Sequence, residues 1–253
     1  MAGLGRIWRG TIGRLSAALL FVAMAFGAQP ASAVERKLLV ASFENIQIIG
    51  DINVTVQTGK SPSAIASGDK RVLESLKLER VGMTLRVRLQ DIVNNNKGVP
   101  ITLPLQLTLT TQAIKDITLS GNGTLKISQV KQPTASRILV AGNGSVSIGS
   151  LIADQFTANI NGNGKIEISS GVTRDARVTI DGAGSFEGAG VKMRKLRLEH
   201  IGNAVSSATV EEGTDIYNRG SGNITIGGKG TCFIKLAGAA AISCAKVDTG
   251  SGK

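Results

Sequence analysis

Five carboxylates in the second half of the chain have the residue type needed for sugar chemistry, because a glycosidase uses two acids about 5–10 Å apart across a cleft. Glu167 and Glu187 are the best candidates, since they occupy the same outward position in successive copies of a sequence repeat. The equivalent positions in other copies hold lysine, serine and glycine, and no aromatic platform for a sugar accompanies the two acids. The pattern therefore favours solvated surface and leaves a glycan-active enzyme as an alternative. The five carboxylates are Asp154, Glu167, Asp175, Asp181 and Glu187.

Three arginines recur at one position of the same repeat, and their guanidinium groups suit phosphates or sulfates. Arg137, Arg177 and Arg197 should face outward on one sheet, where they would form a broken basic ridge. We take this ridge as the candidate ligand-binding site. The alternative is charge that keeps a β surface soluble and blunts its edges. The complete column is predicted to be Asp116, Arg137, Thr157, Arg177, Arg197 and Tyr217.

The only histidine and the two cysteines do not form a metal-binding or redox motif. His200 lies in a column of the repeat that is otherwise apolar, with no second histidine or nearby cysteine to complete a site, so we expect a neutral buried histidine. Cys232 and Cys244 lie close together near the end of the chain, and in an oxidising compartment such a pair forms a disulfide. We expect this bond to clamp a last, shorter coil. We predict no metal and no cofactor.

Gly-Asn-Gly or Gly-x-Gly segments recur at an almost constant interval. Glycines at 121, 142, 162, 182, 202 and 222 are separated by 21 residues once and by 20 residues four times. Apolar and polar residues alternate on both sides of each segment, which predicts a strand, a corner and a strand. Glycine supplies positive φ at a corner, and asparagine can hydrogen-bond along a stack of its own kind. The predicted structural corners are Gly121, Asn122, Gly142, Asn143, Gly162, Asn163, Gly182, Gly202, Asn203, Gly222 and Asn223.

A fixed period with columns of like residues favours stacked coils over a meander of hairpins. We therefore predict an all-β protein, a right-handed parallel β-helix-like stack of coils of about 20 residues. Either two or three sheets per coil fit this length. The strand-rich region before the repeat should cap the open N-terminal end. The predicted organisation is a signal peptide at 1–33, an N-terminal β region or cap at 34–110, the repeated β-helix region at 111–247 and a flexible tail at 248–253.

Charge and the N-terminal segment indicate export. The first 33 residues combine three arginines, an apolar run of about 12 residues that is short for a membrane span, and the cleavage site Ala31-Ser32-Ala33. We expect the mature chain to begin at Val34 and not to be transmembrane. The formal net charge of the full sequence is +11. A basic exported protein meets anionic envelope glycans or a surface or periplasmic protein before it meets nucleic acid, so nucleic acid is not a predicted partner.

The order of motifs resembles a known family. Phe43-x-x-Ile46-x-Ile48-x-Gly50-x-Ile52-x-Val54 precedes a strand pair and then the Gly-Asn-Gly or Gly-x-Gly segments. This order is similar to that of the “putative auto-transporter adhesin head GIN domain” family of bacterial envelope proteins, over roughly residues 38 to 245. The resemblance implies a β-helix-like stack and attachment at a surface.

These observations predict an exported, non-enzymatic, adhesin-like binding module that attaches to envelope or extracellular polymers. The expected location is the periplasm, the cell surface or the medium. Two alternatives stay open at this point. One is a β-helix glycan-active enzyme, and the other is a periplasmic structural scaffold that binds a protein partner through a sheet face or an end.

Overall fold

The computed structural model describes residues 34–90, 105–236 and 238–248. The predicted signal peptide at 1–33 and residues 249–253 of the predicted tail lie outside this range. The described chain has one short helix, α1 (Lys70–Ser75). Its strands are β1 (Val34–Leu38), β2 (Asn45–Ile49), β3 (Asn53–Thr58), β4 (Ser63–Gly68), β5 (Leu76–Val81), β6 (Thr84–Leu89), β7 (Gln106–Thr111), β8 (Asp116–Ser120), β9 (Thr124–Gly142), β10 (Ser145–Gly162), β11 (Lys165–Ile168), β12 (Gly171–Asp181), β13 (Ser185–Ile201), β14 (Val205–Asn218), β15 (Asn223–Leu236) and β16 (Ala241–Asp248).

The repeat forms a parallel β-solenoid of about six turns, so the predicted fold is confirmed. Each strand pairs in parallel with the strand one coil earlier, as Val146 of β10 does with Leu125 of β9. One coil contains three runs of alternately buried residues, at 145–148, 151–153 and 155–161, which we call the first, second and third faces. Alternation breaks between the runs, at 149–150 and at 154, and these breaks make the other two corners. The sequence left two or three sheets open; the structure has three.

The core consists of inward side chains stacked in columns. On the third face, Ile138, Ala158, Val178, Leu198 and Ile216 are consecutive register partners. None of them is more than 1% exposed. Each coil therefore buries its apolar side chains against its two neighbours, the arrangement that stabilises solenoids row by row.

The Gly-x-Gly corners need glycine for two reasons. Gly142 has φ +111°, which side-chain-bearing residues rarely adopt, and a Cβ there would lie 2.7 Å from the Gly121 carbonyl oxygen. Beside these glycines the polar side chains form what we call the asparagine ladder. Asn122 donates to Asp51 at 3.0 Å, Asn143 to Asn122 at 2.8 Å and Asn163 to Asn143 at 3.1 Å. The ladder stops at the next copy, where alanine occupies the position.

The last repeat copy departs from the predicted register. Gly220, not Gly222, stacks on Gly202. The two glycines are so close that a Cβ added to Gly220 would collide with the Gly202 carbonyl oxygen. Gly222 is the third residue of this corner, and Asn223 pairs with Val205 at the start of a strand. The predicted corner Gly222-Asn223 is therefore corrected to 220–222, and the coil that ends there has 18 residues.

The shortening lies in the corners. Compared with β13, β14 has three residues fewer between the first and second faces and one more between the second and third. The net change of two residues keeps the same side chains inward, because the side-chain period of a strand is two. Gly202 and Gly222 are still 20 residues apart, so the interval between glycines did not reveal that this coil is two residues shorter.

The two ends of the stack are built differently. At the N-terminal end, β2 and β3 pair in parallel with β8 and β9 and, on their other side, with β6 and β7. Antiparallel strands complete this end: β5 on β6, β4 on β7 and β1 on β4. Helix α1 buries Val72 and Leu73 against this end. At the other end β16 is the last row, paired only with β15 among the described strands. No helix in the described residues is long and apolar enough to cross a membrane.

Candidate ligand-binding face

The third face brings the predicted arginines into one outward column. Thr157 is the register partner of Arg137 on one side and of Arg177 on the other, and Arg177 pairs with Arg197. All three arginine side chains are exposed. Rows of a sheet are about 4.8 Å apart, so Arg177 and Arg197 are immediate neighbours and Arg137 lies two rows from Arg177. We call this column the basic ridge.

The order at the C-terminal end of the ridge differs from the prediction. Asp215, not Tyr217, is the register partner of Arg197, because of the shortened coil. Tyr217 lies in the neighbouring outward column, and the Arg197 guanidinium carbon is 4.5 Å from its ring centroid. This cation–π contact stabilises the Arg197 side chain beside the Tyr217 ring.

Three carboxylates near the ridge are paired with arginines outside it. Arg174 binds Asp154 and Asp175, each at 2.8 Å, and Arg194 lies 3.6 Å from Glu212. The hydrogen bond that Arg174 donates to Asp175 raises the pKa of Arg174. Among the described residues, no ion pair within 4.0 Å involves a ridge arginine. The ridge arginines are therefore without an ion pair within 4.0 Å in the described chain, although Asp116 and Asp215 are register partners of Arg137 and Arg197 at the two ends of the column.

Two depressions adjoin the ridge on the third face. One has a volume of about 360 Å³ and lies between Thr157, Arg177 and Arg197. The other has a volume of about 440 Å³ and is lined by Arg197, Asp215 and Phe233. They share Arg197, so a chain-like ligand lying along the column could occupy both.

The best predicted carboxylate pair is part of an ion-pair cluster on the first face. Glu167 and Glu187 are register partners, and Lys165 lies 3.2 Å from the first and 2.9 Å from the second. The two carboxylates raise the pKa of the Lys165 ammonium group. All three side chains are on the open face of the sheet, more than a third exposed. Asp154 and Asp175 are bound by Arg174 on another face, and Asp181 joins neither group.

His200 is fully buried, as the sequence predicted. Its Nε2 atom is 2.7 Å from the Ser206 hydroxyl, and its Nδ1 atom has no hydrogen-bond partner in the described chain. Burial lowers the pKa of His200 to about 4, so the ring is neutral at neutral pH. No cluster of three or more metal-ligating side chains occurs in the part of the chain that the structure describes.

The two cysteines are joined across the interior of the last coil. Cys232 is a buried member of the third face, and Cys244 lies on the first face in β16. Their Cα atoms are 6.4 Å apart in the disulfide. The bond links the last row of the stack to the row before it.

Two features of the surface had no clear signal in the sequence. Asp215 and Phe233 follow Arg197 in the ridge column, and only the corner at 220–222 would have shown that register. On the second face, Ile152 and Val172 are 38% and 51% exposed at adjacent rows. They line a groove of about 730 Å³ with Met193. The alternation of apolar and polar residues did not predict an exposed apolar groove on this face.

The comparisons with known proteins agree with this architecture. A family model described as “Putative auto-transporter adhesin, head GIN domain” matches residues 42–230. A solved structure from Bacteroides fragilis, described as a putative adhesin, has a TM-score of 0.70 at 17% identity, with 86% of this chain and 96% of that chain covered. One from Parabacteroides distasonis, described as a putative lipid binding protein, has a TM-score of 0.62 at 18% identity, with the same two coverages. No curated protein matches the sequence.

At 17–18% identity the solved structures show a shared fold only. Membership of a family rests on the match of the family model. The matched segment runs from just before the first row of the stack into β15, so it includes the corners through Gly222 and the whole basic ridge. The resemblance inferred from the Phe43–Val54 motif and the glycine segments is confirmed. The chain belongs to the auto-transporter adhesin head GIN domain family.

Proposed function

We propose that this protein is an exported, non-enzymatic, adhesin-like module that attaches to anionic envelope or extracellular polymers through the basic ridge. One observation carries the proposal: Arg177 and Arg197 are neighbours in one column and have no carboxylate within ion-pair distance among the described residues. The family description as an adhesin supports a binding role, and the predicted signal peptide supports export.

A polymer suits this column better than a small anion does. The ridge arginines are exposed, so each contact with a phosphate or sulfate is weak and screened by salt. A polyanion that spans several rows makes these contacts within one molecule, and the later ones form at high effective concentration. Binding should therefore depend on polymer length and fall steeply with ionic strength.

The test is binding of the full chain, expressed for export, to immobilised dextran sulfate and to uncharged dextran at roughly 0.05 M and 0.5 M salt. The test variant is Arg137→Ser/Arg177→Ser/Arg197→Ser. We expect salt-sensitive binding to dextran sulfate that the variant loses by at least about tenfold.

The matched control removes three positive charges elsewhere. The control replaces three exposed lysines that lie off the third face, Lys126, Lys131 and Lys229, by serine. This change should lower binding to dextran sulfate only slightly. Equal losses in both triple variants would mean that net charge alone drives binding. Absence of binding to any polymer would overturn the proposal and favour the scaffold with a protein partner.

The enzyme alternative rests on Glu167 and Glu187. Their shared contact with Lys165 gives them a structural partner, and a cleft is not needed to explain their proximity. We expect no hydrolysis of envelope polysaccharides by the protein, measured as release of reducing ends. A rate of hydrolysis that Glu167→Gln abolishes would contradict this part of the proposal.

A second candidate function is binding of an apolar ligand in the groove of the second face. The exposed pair Ile152 and Val172 forms its floor, and one structural neighbour is described as a putative lipid binding protein. A fluorescent fatty acid should bind with an affinity that Ile152→Ser/Val172→Ser lowers and the ridge variant leaves unchanged. Equal binding by both variants would remove this candidate.

A further inference from the structure

The shortened coil places an acid and an aromatic ring directly beyond the basic ridge. Arg197, Asp215 and Phe233 are successive register partners on the third face. They line the depression of about 440 Å³ together with Lys195. This volume is within the range of sites that hold a small organic group.

Phe233 differs from the other phenylalanines that the structure describes. Phe43, Phe156 and Phe186 are almost wholly buried in the core, whereas Phe233 points outward and is only partly buried. Its ring lies across Gly213, where an added Cβ would be 3.3 Å from Cε2. The Lys235 ammonium group lies over the ring, 5.6 Å from its centroid. The part of the ring that borders the depression offers apolar contact to C–H groups of a ligand.

The polar groups around this ring divide into engaged and available ones. Asp175 is bound by Arg174 and Glu212 lies beside Arg194. Lys195, Arg197 and Asp215 have no ion pair within 4.0 Å among the described residues. The depression therefore presents two cationic donors, one carboxylate acceptor and one aromatic face.

That combination matches an acidic sugar better than other anions. A sugar carboxylate pairs with Arg197 and Lys195, its hydroxyl groups donate to Asp215, and its C–H face packs on Phe233. A neutral sugar would leave the two cations unpaired, and an isolated sulfate or phosphate would have no hydroxyl group for Asp215 and no C–H group for the ring.

We propose that this depression is the subsite for one uronic acid residue, and that the adjoining depression beside Arg177 and Thr157 holds the next residue of the same chain. The inference rests on the proposed function, since it assigns the anionic polymer to the class of uronate-containing polysaccharides. Arg197, which lines both depressions, contacts both sugar residues.

The experiment measures binding of a short oligogalacturonate, of a neutral oligogalactose and of dextran sulfate by calorimetry. Phe233→Leu keeps apolar volume and removes the ring, so it should weaken the oligogalacturonate by about three- to tenfold and leave dextran sulfate unchanged. Val205→Leu, at an exposed apolar position on the first face, is the control and should change neither. Thermal unfolding of each variant verifies that the stack is intact.

Asp215→Asn should change the affinities for the two anionic ligands in opposite directions. Removal of a negative charge beside the ridge should strengthen dextran sulfate binding, whereas loss of the carboxylate acceptor should weaken the oligogalacturonate. Strengthening of both would show a purely electrostatic surface and overturn the subsite. Oligogalacturonate binding no tighter than that of oligogalactose, with dextran sulfate still bound, would also overturn the subsite but leave the proposed function standing. Loss of all anionic binding would remove both.

Discussion

Replacement of the buried, hydrogen-bonded pair His200 and Ser206 by apolar residues should reduce the loss of unfolding free energy that acid causes. His200 lies between Ile180 and Asn218 in an inward column and has one hydrogen bond, to Ser206. Ile and Ala would fill about the same total volume as His and Ser. The double variant His200→Ile/Ser206→Ala therefore removes a titrating ring and an unpaired Nδ1 atom without opening a cavity.

The size of the effect follows from the pKa of His200. Burial lowers it from 6.5 to about 4. The unfolded chain thus takes up this proton as pH falls through 6.5, while the folded chain resists until about pH 4. The wild-type free energy of unfolding should lose about 3 kcal/mol between these two values and lose no more from this group at lower pH.

The assay is urea unfolding followed by far-UV circular dichroism at several pH values from about 7 down to 4. The double variant should be at least as stable as wild type near pH 7 and should lose about 3 kcal/mol less on acidification. Asp69, whose pKa is lowered to about 2 by hydrogen bonds from Arg71, is present in both proteins, so its titration cancels in the difference between them. Parallel pH curves for the two proteins would refute the reasoning, since they would mean that folded His200 accepts a proton near its ordinary pKa.

Three further changes test the packing of the stack. Cys232→Ala/Cys244→Ala should lower the free energy of unfolding by about 3 kcal/mol in urea, and reductant should then have no effect, because the cross-link restricts the unfolded chain. Ala183→Asn should raise it by about 0.5–1 kcal/mol by extending the asparagine ladder, and an unchanged midpoint would contradict the ladder's contribution. Gly162→Ala should lower the free energy of unfolding by at least about 2 kcal/mol, because the new Cβ would combine a positive φ with a 2.7 Å approach to the Gly142 carbonyl oxygen. Gly59→Ala should lower it less, because Gly59 has a positive φ but open space around it. Equal losses would mean that the close approach contributes nothing.

The sequence was sufficient for the fold because one period controls both corners and columns. The glycine interval and the alternation around it predicted which side chains face inward, including the apolar column that contains His200. The number of faces was not predictable, since the other two corners have no fixed residue type. The corner between the first and second faces, for example, reads Gly149-Ser150 in one coil and Ser169-Ser170 in the next.

The candidate site was predictable only as far as the register held. Arg137, Arg177 and Arg197 share a column because their coils have equal lengths. Two glycines two residues apart then allowed two alignments of the last copy, and the wrong one placed Tyr217 where Asp215 lies. Corner length is set by packing between rows, which a single sequence does not display.

The unlike ends of the stack give the protein a mechanical polarity. A force on the C-terminus reaches Cys244 and passes through the disulfide to Cys232, so the segment between them bears no load. The first pairings to break are those of Lys246, Val247 and Asp248 with β15, and the row of β15 against β14 follows. At the N-terminal end, β1 lies antiparallel on β4 and β4 on β7, and tension must shear these strands before the first row opens. A tethered molecule of this kind yields from one end in steps of a coil and resists at the other.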